Sequence, residues 1–230
     1  MQGDGVHPEG LNSQLLSRTR TTTTIAARIC SQEKHADQPK KANSVLGQLM
    51  RGVGYRDKKV FINLFKTYVR PHLEYCSASW SPWTLGDIEV LEAVQRRAVK
   101  AVTNVKAKSY EDKLSELGLD SLLVRRKRGD LIQMYKVCSG KLDVKPEIWF
   151  TMCDQRNGAV TTRRQGGLWN VVPPAWNGEI RTNFWSVRVC EDWNNLPDNV
   201  KQAKTEDCFK NRLDELRGWG KQGRGYLNRT

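Results

Sequence analysis

From Lys41 onward the apolar residues recur with a helical period. Ala42, Val45, Leu46 and Leu49 share one side of a short helix, which the Gly52 and Gly54 pair ends. Asp57 stands where it can cap the next helix. Its expected buried stripe is Val60, Phe61, Leu64, Phe65, Tyr68 and Val69, an i, i+1, i+4, i+5 pattern. Pro71 should stop or kink that helix, because the ring removes a donor and disfavours helical geometry at Arg70. A turn holding Trp80 and Trp83 follows, and Asp87 is the expected N-cap of a helix that buries Ile88, Leu91, Val94, Ala98 and Val102.

The stretch SYEDKLSELGL predicts a short helix with Ser109 as cap and Asp112 at the capping-box distance. Leu114 and Leu117 point inward and Gly118 closes it. Another helix starts at Asp120 or Ser121, with Val124, Leu131, Tyr135 and Cys138 along its stripe. Arg128 falls near that stripe and needs an acidic partner or an outward path, whereas Arg125 and Arg126 should face away. After Gly140, Gly, Asn, Pro and Trp with β-branched fragments suggest an irregular wrap or short strands. A helix near residues 184–193 and a last one capped by Thr205 follow, the latter with Cys208, Phe209, Leu213 and Leu216 inward.

The expected fold class is therefore mainly α. Residues 1–40 lack an apolar period and carry a threonine run, so a disordered leader is expected there; residues 218–230 read as a flexible, basic, Gly-rich tail.

Charge changes the picture most. The 230 residues hold 38 Lys and Arg against 25 Asp and Glu, a formal net charge of +13. Such a balance favours a polyanionic partner, nucleic acid before anionic membrane. Arg96, Arg97 and Lys100 occupy the polar face of their helix, with Lys106 and Lys108 just past its end. For Arg125 and Arg126 a solvated face and a phosphate contact are equally open. The 6 cysteines (Cys30, Cys76, Cys138, Cys153, Cys190, Cys208) are scattered without a C-x-x-C or Cys/His knuckle, so they read as reduced, buried thiols rather than zinc ligands. No apolar run reaches membrane-spanning length, so an intracellular protein without a membrane partner is expected.

Catalytic patterns are missing from the sequence. There is no Walker loop, G-x-S-x-G or H-E-x-x-H, and no Asp-Asp pair that could hold two metal ions for phosphoryl transfer. His72, at the Pro71 bend near Cys76, reads as a structural histidine. No cofactor is expected.

Four stretches in order, KKANSVLGQLMRGVGYRDKKVFINLFKTYVRPHLEYCSASWSP, DIEVLEAVQRRAVKAV, SYEDKLSELGLDSLLVRRKRGDLIQMYKV and NFWSVRVCEDWNNLPDNVKQAKTEDCFKNRLDEL, carry a resemblance over residues 40–217. Together they resemble the C-terminal part of reverse transcriptases from non-LTR retrotransposons of the Jockey and chicken-repeat LINE group. The resemblance implies a thumb-like helical domain over residues 41–108, which would grip a primer–template duplex, and a post-thumb region over 109–217. It also implies that Arg96, Arg97 and Lys100 lie along the nucleic acid backbone, that Tyr75, Trp80 and Trp83 mostly pack at a bend between thumb helices, and that a palm-bearing polymerase chain is a possible partner. The palm's aromatic-x-Asp-Asp motif does not occur in these 230 residues, and residues 1–40 match nothing in that family. The resulting expectation is a catalytically incomplete remnant of an RNA-directed DNA polymerase that binds an RNA–DNA or DNA duplex through backbone contacts. The alternative is a relic or protein-interaction module with no nucleic-acid role.

Overall fold

The computed structural model describes residues 37–54, 56–102, 108–152, 170–172 and 178–217, and these are mainly helical. Helix α1 covers residues 37–52, four residues ahead of the expected boundary at Lys41, with Pro39 in a first turn that does not need its missing N–H. Residues 1–36 and 218–230, assigned above to a leader and a tail, lie outside the described residues.

Helix α2 (Lys58–Leu64) begins as expected, with the Asp57 carboxylate accepting from the Lys59 N–H at 3.0 Å. It does not end at Pro71. One π-helical turn, Phe65–Val69, widens the ladder so that the Arg70 N–H reaches the Phe65 carbonyl, and α3 (Arg70–Glu74) continues through the proline. The extra residue in the turn lets the ring pass without occupying a normal i−4 bond. The buried stripe is offset by one residue from the start of α2. Phe61, Phe65, Val69 and Leu73 are fully buried, and Ile62 joins them, but Val60 and Tyr68 are 53% and 54% exposed, against expectation.

Helix α4 (Leu85–Ala101) starts one turn before the expected cap. Thr84 is the N-cap: its hydroxyl accepts from the Asp87 N–H at 3.2 Å and donates to the Asp87 carboxylate at 2.7 Å, so Asp87 holds the capping hydroxyl from inside the helix. Leu91, Val94, Ala98 and Val102 are buried as predicted, with Val99 added and Ile88 half-buried. Helix α5 (Tyr110–Leu117) carries its predicted Ser109 cap, and Gly118 ends it at φ +59°.

Helix α6 (Leu122–Cys138), capped by Ser121, is the spine of the molecule. Leu122 closes a first apolar cluster built from α1 to α5; Leu131, Met134, Tyr135 and Val137 open a second one with α8 and α10. The apolar break thus falls inside α6, and the division expected at residue 108 runs through the first cluster. At the waist between the clusters the buried face carries charge: Arg126 and Asp130 are 3% and 5% exposed. Val124, expected at the stripe centre, is only half-buried.

After α6 the described residues hold only short elements before the chain turns helical again; most of the stretch expected to be irregular, residues 153–169 and 173–177, lies outside the described residues. Strands β1 (Thr151–Met152) and β2 (Val171–Val172) form a two-residue antiparallel pair, Thr151 opposite Val172 and Met152 opposite Val171. Short α7 (Glu179–Thr182) leads into α8 (Trp185–Asn194), then α9 (Asp198–Lys201) and α10 (Glu206–Arg217). The Asn194 amide brackets Val171 as a neighbouring strand would, accepting from its N–H at 3.0 Å and donating to its carbonyl at 2.8 Å. Tyr135 stacks on Phe209 at 4.4 Å and Trp185 meets Phe150 edge-on at 5.4 Å. Thr205 caps α10 as predicted, accepting from the Cys208 N–H, while Leu216 is 47% exposed rather than inward. Among the described residues Cys76, Cys138, Cys190 and Cys208 are free thiols, Cys190 buried and the others half-buried; Cys30 and Cys153 lie outside them. No helix of the described residues is long and apolar enough to cross a membrane.

Candidate nucleic-acid interface

Helix α4 has one face in the core, which fixes where the other must point. Leu91, Val94 and Ala98 are buried, so Ala93, Arg97 and Lys100, at i, i+4 and i+7, project outward together. Helix α1 runs alongside, and the Arg97 guanidinium reaches the Asn43 side chain at 3.4 Å. Between them lies an open groove of about 520 Å³ lined by Met50, Arg56, Ala93, Arg96, Arg97, Lys100 and Ala101. Four of the seven are cations and none is acidic. Met50, Ala93 and Ala101 make up the apolar part of the lining and the four cations the charged part.

The four cations are not equivalent. Arg56 donates to the Met50 carbonyl at 2.8 Å and so closes the C-terminal turn of α1. Arg96 is held by the Glu89 carboxylate in a fork, with Nη2 to Oε2 at 3.1 Å, and stacks over the Tyr110 ring at 5.0 Å. The bond from Glu89 raises the Arg96 pKa and the same bond lowers that of Glu89. Among the described residues no carboxylate lies within ion-pair distance of Arg97 or Lys100, and both are exposed.

A buried polar network stands behind Arg96. Glu92 accepts from the Tyr110 hydroxyl, from Gln95 Nε2 at 3.0 Å and from the Leu122 N–H at 2.9 Å. Burial, then the Glu92 charge, raises the Tyr110 pKa, so the ring stays neutral. Gln95 also donates to the Asp120 carbonyl at 3.0 Å. These bonds tie α4, α5 and the start of α6 into one rigid support.

The other cations predicted to meet phosphate are placed differently. Lys108 is exposed but paired with Glu116 at 2.7 Å, a contact that raises its pKa; Glu116 also meets Lys58 at 3.7 Å. Lys106 lies outside the described residues. Arg125 turns toward α3 and clasps Glu74 in a fork, Nη2 to Oε2 at 3.1 Å, with Arg70 sharing the same carboxylate at 3.6 Å.

Arg126 overturns the expectation of an outward side chain. It lies under the Trp-rich bend, stacked over Trp80 at 4.4 Å, and donates to the Leu73 carbonyl at 2.5 Å and to the Trp80 carbonyl at 3.1 Å. Burial lowers its pKa to about 10. Arg188 completes the clamp from α8, donating to the Ser77 carbonyl at 2.8 Å and holding Asp130 through a two-bond fork at 2.9 Å each. The α3 end and the bend expose backbone carbonyls that no helix can satisfy, and two guanidiniums supply the donors. The bend that holds His72 and Cys76 is thus a structural joint, with Trp80 packed at 3% exposure as predicted and Tyr75 and Trp83 at 54% and 39%. Arg128 finds the acidic partner it was expected to need, a fork to Asp214 at 2.7 and 2.8 Å.

The groove residues that sequence reasoning missed are Arg56 and Met50, and no periodicity points to either. Arg56 sits in the short loop before the Asp57 cap, and only the return of α2 against α1 brings it to α4. Among the described residues no group of three or more His, Cys, Asp or Glu is placed to hold a metal ion. No protein-family model, curated protein or solved structure matches this chain.

Proposed function

We propose that this chain binds nucleic acid by its phosphate backbone, as the thumb of a non-LTR reverse transcriptase would, and contributes grip rather than bond-making chemistry. The observation that carries the reading is the pair Arg97 and Lys100, exposed along a groove that has four cations and no acid. Point charges on a helix face contact phosphates and read little sequence, so binding is backbone-directed and strongly salt-dependent. The net charge of +13 adds long-range attraction. In this reading Arg125 and Arg126 are structural, Arg96 is a conditional contact, and the chain works in the nucleus or cytoplasm, alone or beside a palm-bearing polymerase chain.

The test is a fluorescence-anisotropy titration of labelled RNA–DNA and DNA duplexes across a salt series. Replacing Arg97 and Lys100 together by Ala removes two phosphate contacts, so the slope of log affinity against log salt should flatten by about 1.8. A double variant with the wild-type slope refutes the reading. Primer extension by the purified chain should give no product.

A second reading, a protein-interaction module, draws on the outward apolar residues Val60, Tyr68 and Tyr75 along α2, the π turn and the bend. A chain that elutes as a stable monomer and captures duplex, but no polymerase chain, speaks against it.

A further inference from the structure

Glu89 and Arg96 stand two turns apart on one side of α4, and their contact is a complete fork: Oε1 to Nη1, and Oε2 to Nη2 at 3.1 Å. This is the geometry a guanidinium uses for a phosphate, two parallel N–H bonds to two oxygens of one anion. Glu89 thus takes up the very donors that Arg96 would offer to nucleic acid at the groove. The pair is solvent-accessible, at 54% and 35% side-chain exposure, so water and salt weaken it and a competing anion can reach it.

Arg96 does not depend on Glu89 for its position. Its guanidinium lies over the Tyr110 ring at 5.0 Å, and the Tyr110 hydroxyl is anchored in the buried network of Glu92 and Gln95. With Glu89 swung aside, the stacked guanidinium keeps its orientation and its outer donors face the groove.

From this geometry we infer that Glu89 is an intramolecular counter-ion that masks Arg96, and that it sets how many phosphates the groove engages. The inference rests on the proposed phosphate-binding role and adds a competitor to it. Nucleic acid must displace a carboxylate to engage Arg96, so wild-type binding is weaker and less salt-dependent than the groove's cation count suggests. Among the described residues Glu89 makes no ion pair other than that to Arg96.

The experiment compares wild type, Glu89→Gln, Arg96→Ala and the double variant by duplex anisotropy over a salt series. Glu89→Gln should tighten binding about 3- to 10-fold at low salt and steepen the slope by about 0.9, one phosphate contact. Between about 50 and about 200 mM salt that adds a loss of about 3.5-fold in affinity. Arg96→Ala alone should leave the wild-type slope nearly unchanged, and Glu89→Gln in the Arg96→Ala background should gain only a small, slope-neutral amount. An equal gain in both backgrounds overturns the masking, because it would reflect net charge acting at long range. A wild-type slope in Glu89→Gln overturns it as well. Wild type lacking salt-dependent binding refutes the phosphate-binding reading itself, and the role of Glu89 falls with it.

Discussion

Replacing Arg126 by Met tests whether this side chain belongs to the folded scaffold or to the ligand surface. Met has a similar length and fills most of the space under Trp80, so the cavity cost is small. What is lost is specific: bonds to the Leu73 and Trp80 carbonyls, at 2.5 and 3.1 Å, and the stack on Trp80 at 4.4 Å. Each buried carbonyl left without a donor costs about 1–3 kcal/mol, and a desolvated cation–π contact adds about 2 kcal/mol. Against this stands relief from burying a guanidinium whose Nε has no partner and whose neighbouring acid, Asp130, gives both oxygens to Arg188. The net expectation is a destabilisation of about 2–4 kcal/mol. Urea unfolding followed by tryptophan fluorescence measures it, since Trp80 and Trp185 border the waist. A loss near 3 kcal/mol lowers the thermal midpoint by about 6–12 °C in a chain of this size. Duplex affinity of the folded variant and its salt slope should equal those of wild type. A stability change under about 0.5 kcal/mol together with a slope flattened by about 0.9 would place Arg126 on the ligand surface and refute this account.

Other expectations follow from the caps and the thiols. Gly118→Ala should cost about 1 kcal/mol, because φ is +59° while nothing lies within 4 Å of an added Cβ, so the loss is conformational and visible in the same urea assay. Thr84→Ala should cost about 1 kcal/mol by removing the N-cap hydroxyl of α4. Burial pushes the Cys138 and Cys190 thiols up to about 12, so alkylation of these two near neutral pH should run at least about tenfold slower in the native than in the unfolded chain; equal rates would contradict the packing. A raised folded pKa contributes stability that is whole below about 9 and lost as pH passes about 12, so urea midpoints should fall across that alkaline window.

Where local chemistry decides, the sequence was legible. Asp57, Ser109, Thr205 and Gly118 act at helix ends through groups a few residues away, so spacing alone placed them, while for α6 it left Asp120 and Ser121 open and the structure decides for Ser121. At α4 the same reasoning slipped by one turn, because Thr84 and Asp87 are both capping residues and spacing does not say which stands outside. The stripe of α2 failed for another reason. The buried stripe of α2 already runs through Phe61 and Ile62, one residue on from the expected phase, which leaves Val60 outside, and beyond it the π turn keeps Phe65 and Val69 inward and Tyr68 out. Arg125 and Arg126 look alike in the sequence, and a uniform helical wheel sets both outside. Their actual partners, Glu74 and the carbonyls of Leu73 and Trp80, lie 46 to 53 positions away.

The sequence by itself determined the helical class, many of the helix ends, the surplus of positive charge and the outward pair Arg97 and Lys100. Those depend on period, capping and composition, which act over a turn or two. Only the tertiary structure decided which cations remain available. Packing of α3 and α8 against α6 turns Arg126 and Arg188 into donors for the bend and ties Arg125 to Glu74 of α3, while α1 and the loop before α2 bring Met50 and Arg56 to α4 and complete the groove. The physical reason is desolvation. An arginine buried among unpaired carbonyls is bound to them, and the free ones are those that long-range packing leaves in water.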